Sequence, residues 1–248
     1  LQGGRIDDHG FLQFPTAWSQ GRFGDLGQLY LHLSGQPQLP TPAQLKLLDL
    51  LGQHMQRRAV ARVRAGGHGG MLVYVPSDAV PELLSPRGLP QPKYPVQELG
   101  AGARGGHLFL AVLQRLADLG DSSWAYYQHT TDPVVRALAG AIDQFADLLA
   151  DLMTVDGALV LTHNLEIVGF GVEIRAPHVE LDQVYRALDL SGEHLRAEPA
   201  DQGGTRHRAA YRLCLAAPDC LAVTISQDGG VQLVHQLAGK IVFWSQLS

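Results

Sequence analysis

Two amphipathic helical stripes, each opened by a proline-led cap and followed by a short apolar run, set the strongest limit on how this chain can fold. The first begins at Thr41, whose hydroxyl suits an N-cap, with Pro42 where a helix needs no N–H. Leu45, Leu48, Leu51, Met55 and Ala59 then recur at helical spacing. After the glycines at 66–70, residues 71–75 read as a buried strand stopped by Pro76. The second stripe opens at Asp132-Pro133 and carries Val135, Leu138, Ile142, Phe145, Leu149 and Leu152 on one face. Past Met153 the period changes: 158–161 is a short apolar run, and Val168, Phe170, Val172 and Ile174 alternate as in a strand. Strands are expected at 220–226 and 231–236, joined across Asp228-Gly229-Gly230, and at 241–244 after Ala238-Gly239. Helices are expected at about 107–119, 179–189 and 206–216, polar turns at 120–132, and a strand-like alternation at 29–33. Helices and strands mix throughout, which predicts an α/β (or α+β) fold with a central mixed sheet flanked by helices.

Residues 1–40, rich in Gly, Gln and Pro, read as an extension or part of a preceding region, and 41–248 as the main domain. The Pro- and Gly-rich stretch 76–132 reads as an insertion, with 175–202 a further long polar connection. The formal charge of −5 argues against a nucleic-acid polymer as partner, so any phosphate ligand must be met by a local basic cluster. Cys214 and Cys220 are too few for a disulfide framework or a cysteine zinc site, and their apolar surroundings predict buried thiols. No stretch of about 18 uncharged apolar residues predicts a membrane span, and no secretory signal opens the chain, so a cytoplasmic protein is expected. The first residue is Leu, which points to a processed or excised fragment.

Several short motifs invite chemistry. Gly100-Ala101-Gly102-Ala103-Arg104-Gly105 fits the dinucleotide fingerprint formally, but a proline interrupts the segment before it where a buried strand is required. Gly66-Gly67-His68-Gly69-Gly70 reads as a helix C-cap and tight turn, or as a place where backbone approaches a ligand. Arg57, Arg58, Arg62 and Arg64 suit the end of the first helix, with a phosphate-facing role the alternative. Val155-Asp156-Gly157-Ala158 opens an apolar strand and could be a plain turn. Gly203-Gly204-Thr205-Arg206-His207-Arg208-Ala209-Ala210 places a hydroxyl, two guanidiniums and an imidazole at a helix start, where free N–H groups and the dipole favour phosphate. A salt-bridged surface patch is the other reading of that cluster.

Together, the Asp-Gly-Ala strand start and the downstream Gly-Thr-Arg-His-Arg-Ala-Ala helix start resemble the diadenylate cyclase (DisA-type) domain. Asn164 and Ile167 follow at that family's spacing, Ser226-Gln227-Asp228-Gly229-Gly230 stands where it often has Ser-Glu-Glu-Thr-Gly, and Gly239-Lys240 matches a Gly-Lys turn. The resemblance is strongest over 154–244. It implies condensation of two ATP into cyclic di-AMP with release of pyrophosphate, by two domains meeting face to face as a homodimer or higher homo-oligomer. It implies catalytic roles for Asp156, Arg206, His207 and Arg208, and nucleotide contacts from Gly157, Ala158, Gly204, Thr205 and Ser226. It also implies Mg2+ or Mn2+ held by Asp156, His207 and Asp228. Asp228 is one methylene shorter than the family's carboxylate and follows Gln227. That departure, with the extra segments, leaves a second expectation: an inactive nucleotide-binding sensor whose ligand is ATP or cyclic di-AMP.

Overall fold

The computed structural model describes residues 25–32, 39–85, 88–96, 104–175 and 181–246. Helix α1 covers 25–32, and α2 (Pro42–Gly66) leads into strand β1 (Gly70–Val75). A short helix α3 (Val80–Leu83), strand β2 (Pro90–Pro95), α4 (Gly105–Asp118) and α5 (Trp124–His129) precede the long α6 (Pro133–Met153). Then come β3 (Ala158–Thr162), β4 (Ile167–Ile174), β5 (Gln183–Ala187), β6 (Leu195–Pro199), α7 (Thr205–Ala216), β7 (Leu221–Ile225), β8 (Val231–Leu237) and β9 (Lys240–Gln246). The nine strands form one mixed sheet in the order β2-β4-β3-β1-β7-β8-β9-β5-β6. β1 runs parallel to β3 and antiparallel to β7, and β5 runs parallel to β9. The class is the α/β architecture expected.

The caps form as the sequence implies. The Thr41 hydroxyl accepts from Gln44 N–H while the Gln44 side chain accepts from Thr41 N–H, and Asp132 accepts from the N–H groups of Val134 and Val135. Period-2 alternation along β1 then divides the core. Leu72 and Tyr74 face α2, α4 and α6, with Phe109, Leu149, Leu161 and Val223 in the same cluster. Met71, Val73 and Val75 face the other side, with Val160, Ala222, Val234 and the α7 residues Ala210, Leu213 and Cys214. Burying a side chain such as Phe109 or Phe145 contributes about 1.5–3 kcal/mol each. Both cysteines are buried free thiols, and burial pushes the Cys220 thiol up to about 12.

The two faces are covered unequally. Three long helices roof one face, whereas on the other α7 packs chiefly on β7, β8 and β9. The β1-β3-β4-β2 side of that second face is left beside the N-terminal turn of α7, and there the cleft lies.

Some local expectations change. Residues 29–32 are helical, because Leu26, Leu29 and Tyr30 also satisfy helical spacing and Leu26 is fully buried; Leu33 lies outside the described residues. The helix expected at 179–189 is instead strand β5, with 176–180 outside the described residues; antiparallel pairing with β6 along Gln183–Ala187, and of Tyr185 and Arg186 with Val242 and Phe243, overrides the local pattern. The polar segment 120–132 contains α5, capped by Ser123. Within 76–132, β2 is an edge strand, the position where its three prolines are tolerated, and Tyr94 stacks on Phe170 across it at 4.9 Å. α4 from the same stretch supplies Phe109, Val112, Leu113 and Leu116 to the core. Residues 97–103, which carry most of the Gly-rich dinucleotide match, lie outside the described residues.

Candidate functional site

The Asp156 turn is shaped by close backbone approach. α6 ends at Met153, and the chain must enter β3 beside β4, where the pairing is bulged between Ala158 and Leu161. Gly157 adopts φ +118, and a Cβ there would stand 2.6 Å from the Gly171 carbonyl carbon and 2.8 Å from Val172 N. Glycine is therefore required. The turn leaves Asp156 exposed on the rim, two residues before buried Ala158.

α7 forms the opposite wall. Its N-cap, Gly204, offers no side-chain acceptor, and its first turn holds no acid. The leading N–H groups thus face a ligand position with the positive end of the helix dipole behind them. Thr205 is exposed, and Arg206 and His207 are half-buried. Burial pushes the His207 imidazole below its ordinary value; Asp228 opposes the shift and Arg206 adds to it. His207 Nδ1 is buried without a hydrogen-bond partner beside Gly203, where a Cβ would stand 3.4 Å from it. Arg208 does something different: its Nη1 donates to the Gly203 carbonyl at 2.6 Å, fixing the turn before α7, and it does not border the cleft.

The third contribution is the β7–β8 turn. Ser226 N–H donates to Gly230 O, and the Ser226 hydroxyl donates to Asp228. That bond, with Gly230 N–H, holds the Asp228 carboxyl below the usual carboxylate range. Ser226 and Gln227 border the cleft, whereas Asp228 does not. The Gly-rich motif at 66–70 meets the same corner. Gly67 is the left-handed C-cap of α2, and Gly69, φ +65, packs so closely that a Cβ would lie 2.7 Å from Ile225 O and 3.3 Å from Arg206 Nη1.

These pieces enclose a cleft of about 850 Å3, a size that fits a small organic ligand. Of the residues marked in the sequence, Asp156, Gly157, Ala158, Gly204, Thr205, Arg206, His207 and Ser226 all line it. Asn164 and Ile167 do not; Asn164 lies in the β3–β4 connection, where Gly106 N–H donates to its carbonyl, and Ile167 opens β4. The expected metal trio is not assembled. Among the described residues no group of three His, Cys, Asp or Glu side chains could hold a metal ion, and the Asp228 carboxylate is engaged by its own turn. Two of the arginines at the end of α2 serve elsewhere: Arg58 pairs with Asp143 and Asp147, and Arg62 with Asp151, all on α6.

Among the lining residues that sequence reasoning missed, four bear on the chemistry of the cleft. Lys93 on β2 and Glu173 on β4 stand on the outer rim, and Met71 and Thr224 lie buried on the floor. Thr224 left a signal, a hydroxyl inside the apolar run Leu221–Ile225. Lys93 left none, because nothing local shows that a proline-rich segment pairs with β4.

No protein-family model matches the chain, and no curated protein matches it. It is similar to a solved structure described as the hypothetical membrane spanning protein from Bacillus cereus, with 16% identity and a TM-score of 0.42. The alignment covers 79% of this chain and spans 64% of that one. A likeness at this level carries no argument about function. Among the described residues, no helix is long and apolar enough to cross a membrane.

Proposed function

We propose that this cleft binds ATP and that two copies of the chain, meeting cleft to cleft, condense two ATP into cyclic di-AMP. The supporting observation is that the Asp-Gly-Ala turn, the Gly-Thr-Arg-His helix start and Ser226, far apart in sequence, line one cleft. The triphosphate lies at the N-terminus of α7, held by its N–H groups, Thr205 and the Arg206 guanidinium, with Ser226 beside it. His207, whose charged form is disfavoured by burial and by Arg206, offers an imidazole beside the phosphates. Asp156 on the opposite rim orients a ribose 3′-hydroxyl and accepts its proton as the oxygen attacks the α-phosphorus of the facing nucleotide. The bond from that phosphorus to the bridging oxygen breaks and pyrophosphate leaves, its charge met by Arg206 and the helix end. A second identical transfer closes the ring. Arg208 is a positioning residue that fixes the Gly203–Gly204 turn. The proposal includes Mg2+ or Mn2+ as the cation accompanying ATP; the steps assigned to the chain use only its own groups. A cytoplasmic location, where ATP is available, goes with this reading.

One observation favours a second reading, an inactive sensor that binds ATP or cyclic di-AMP. Asp228, which stands where the diadenylate cyclases it resembles carry a carboxylate, has its Oδ1 engaged by Ser226 and Gly230 and does not border the cleft. Incubation with ATP and each cation, followed by mass identification of products, separates the two. The cyclase yields cyclic di-AMP, and Asp156→Asn abolishes it. A sensor yields none, yet ATP or cyclic di-AMP raises its melting temperature and Arg206→Ala removes that rise. Neither product nor shift refutes both.

A further inference from the structure

Thr224 is fully buried on β7, between Val223 and Ile225, and its Oγ1 has no hydrogen-bond partner. A buried hydroxyl without a partner is costly, and valine has nearly the same shape without that cost. The position is not a remote core site. Thr224 lies on the cleft floor, opposite Met71 on β1 and two residues before Ser226, so period-2 alternation sets Thr224 and Ser226 on the same face of β7. Facing them is the first turn of α7, with its uncapped N–H groups, Thr205 and Arg206. Met71, its cross-strand neighbour on the floor, has an unbranched side chain that can adjust to admit a ligand atom.

We propose that the Thr224 hydroxyl donates a hydrogen bond to a phosphate oxygen of the ligand, completing with Thr205 a two-hydroxyl cradle at the N-terminus of α7. This rests on the nucleotide reading of the cleft. A phosphate oxygen is the partner that fits, because the neighbouring groups are donors and the helix end favours an anion.

The test is equilibrium binding of ATP and of inorganic tripolyphosphate to the wild type and to Thr224→Val, Thr224→Ser and Arg206→Ala. Thr224→Val should melt no lower than wild type, since it removes an unsatisfied hydroxyl. It should weaken ATP and tripolyphosphate alike, by about tenfold. Thr224→Ser, which restores the donor, should recover most of the loss. Unchanged ATP affinity in a folded Thr224→Val, with Arg206→Ala still impaired, overturns this role and leaves the nucleotide reading standing. A loss for ATP but not for tripolyphosphate assigns the hydroxyl to the nucleoside and also overturns it. Absence of ATP binding by the wild type defeats the nucleotide reading itself, and this inference with it.

Discussion

Gly69 and Gly67 have nearly the same backbone angle, φ +65 and +67, yet only Gly69 is crowded. Replacing either with alanine places an L side chain in the left-handed region, at about 1–2 kcal/mol. At Gly67 nothing lies within 4 Å of the new methyl, so that is the whole cost. At Gly69 the methyl would stand 2.7 Å from Ile225 O, a backbone atom at the end of β7 that cannot rotate away, and 3.3 Å from Arg206 Nη1. Relieving that overlap requires β1 and β7 to separate locally, an overpacking cost of about 1–3 kcal/mol more. Gly69→Ala should therefore lose about 2–5 kcal/mol in urea unfolding, roughly twice the loss of Gly67→Ala. It should also displace the Arg206 guanidinium, so ATP would no longer raise its melting temperature, while Gly67→Ala keeps that response. Equal losses from the two variants, or an unimpaired ATP response in Gly69→Ala, would refute the close packing of this corner and its link to Arg206.

Other consequences can be checked separately. The Asp132 carboxyl is pulled down to about 2 by Arg115 and by the N–H of Val135, against about 3.9 in an unfolded chain. Its contribution is thus present above about pH 4 and lost as pH falls towards 2, so Asp132→Asn should flatten that part of the stability profile; an unchanged acid slope in urea midpoints contradicts the pairing. In histidine NMR titrations His207 should titrate below its ordinary value of about 6.5. Asp228→Asn should lower it further and Arg206→Ala should raise it, and shifts of the opposite sign would overturn the electrostatic account. A methyl at Gly105 would stand 2.5 Å from the Phe145 ring, so Gly105→Ala should be strongly destabilising alone and much less so in a Phe145→Ala background. Simple additivity of the two losses would contradict that contact.

The helices were legible where chemistry is local. Thr41, Pro42, Asp132 and Pro133 act within four residues of themselves, and the stripes they open bury Leu48, Leu51, Phe145 and Leu149 as their spacing implies. The turn at Ala238-Gly239 was equally readable, both residues taking positive φ between paired β8 and β9. Residues 183–187 were misread because their strand character comes from pairing with β6 along their whole length and with β9, and not from their own alternation. The site divides in the same way. Asp156 and Arg206 belong to compact motifs and were found, whereas Glu173 reaches the cleft through the β3–β4 pairing and Lys93 through the β2–β4 pairing. Asp228 was marked from its place in the chain, but whether its carboxylate turns outwards or onto Ser226 depends on the geometry of a five-residue turn.

The claim that two distant stretches build one nucleotide site is tested most directly by calorimetric titration of ATP into the wild type and Arg206→Ala. The account predicts saturable binding at one ATP per chain, weakened at least about tenfold by loss of the guanidinium, which makes a charge-assisted bond to phosphate. No binding by the folded wild type, or equal affinity in Arg206→Ala, would contradict it.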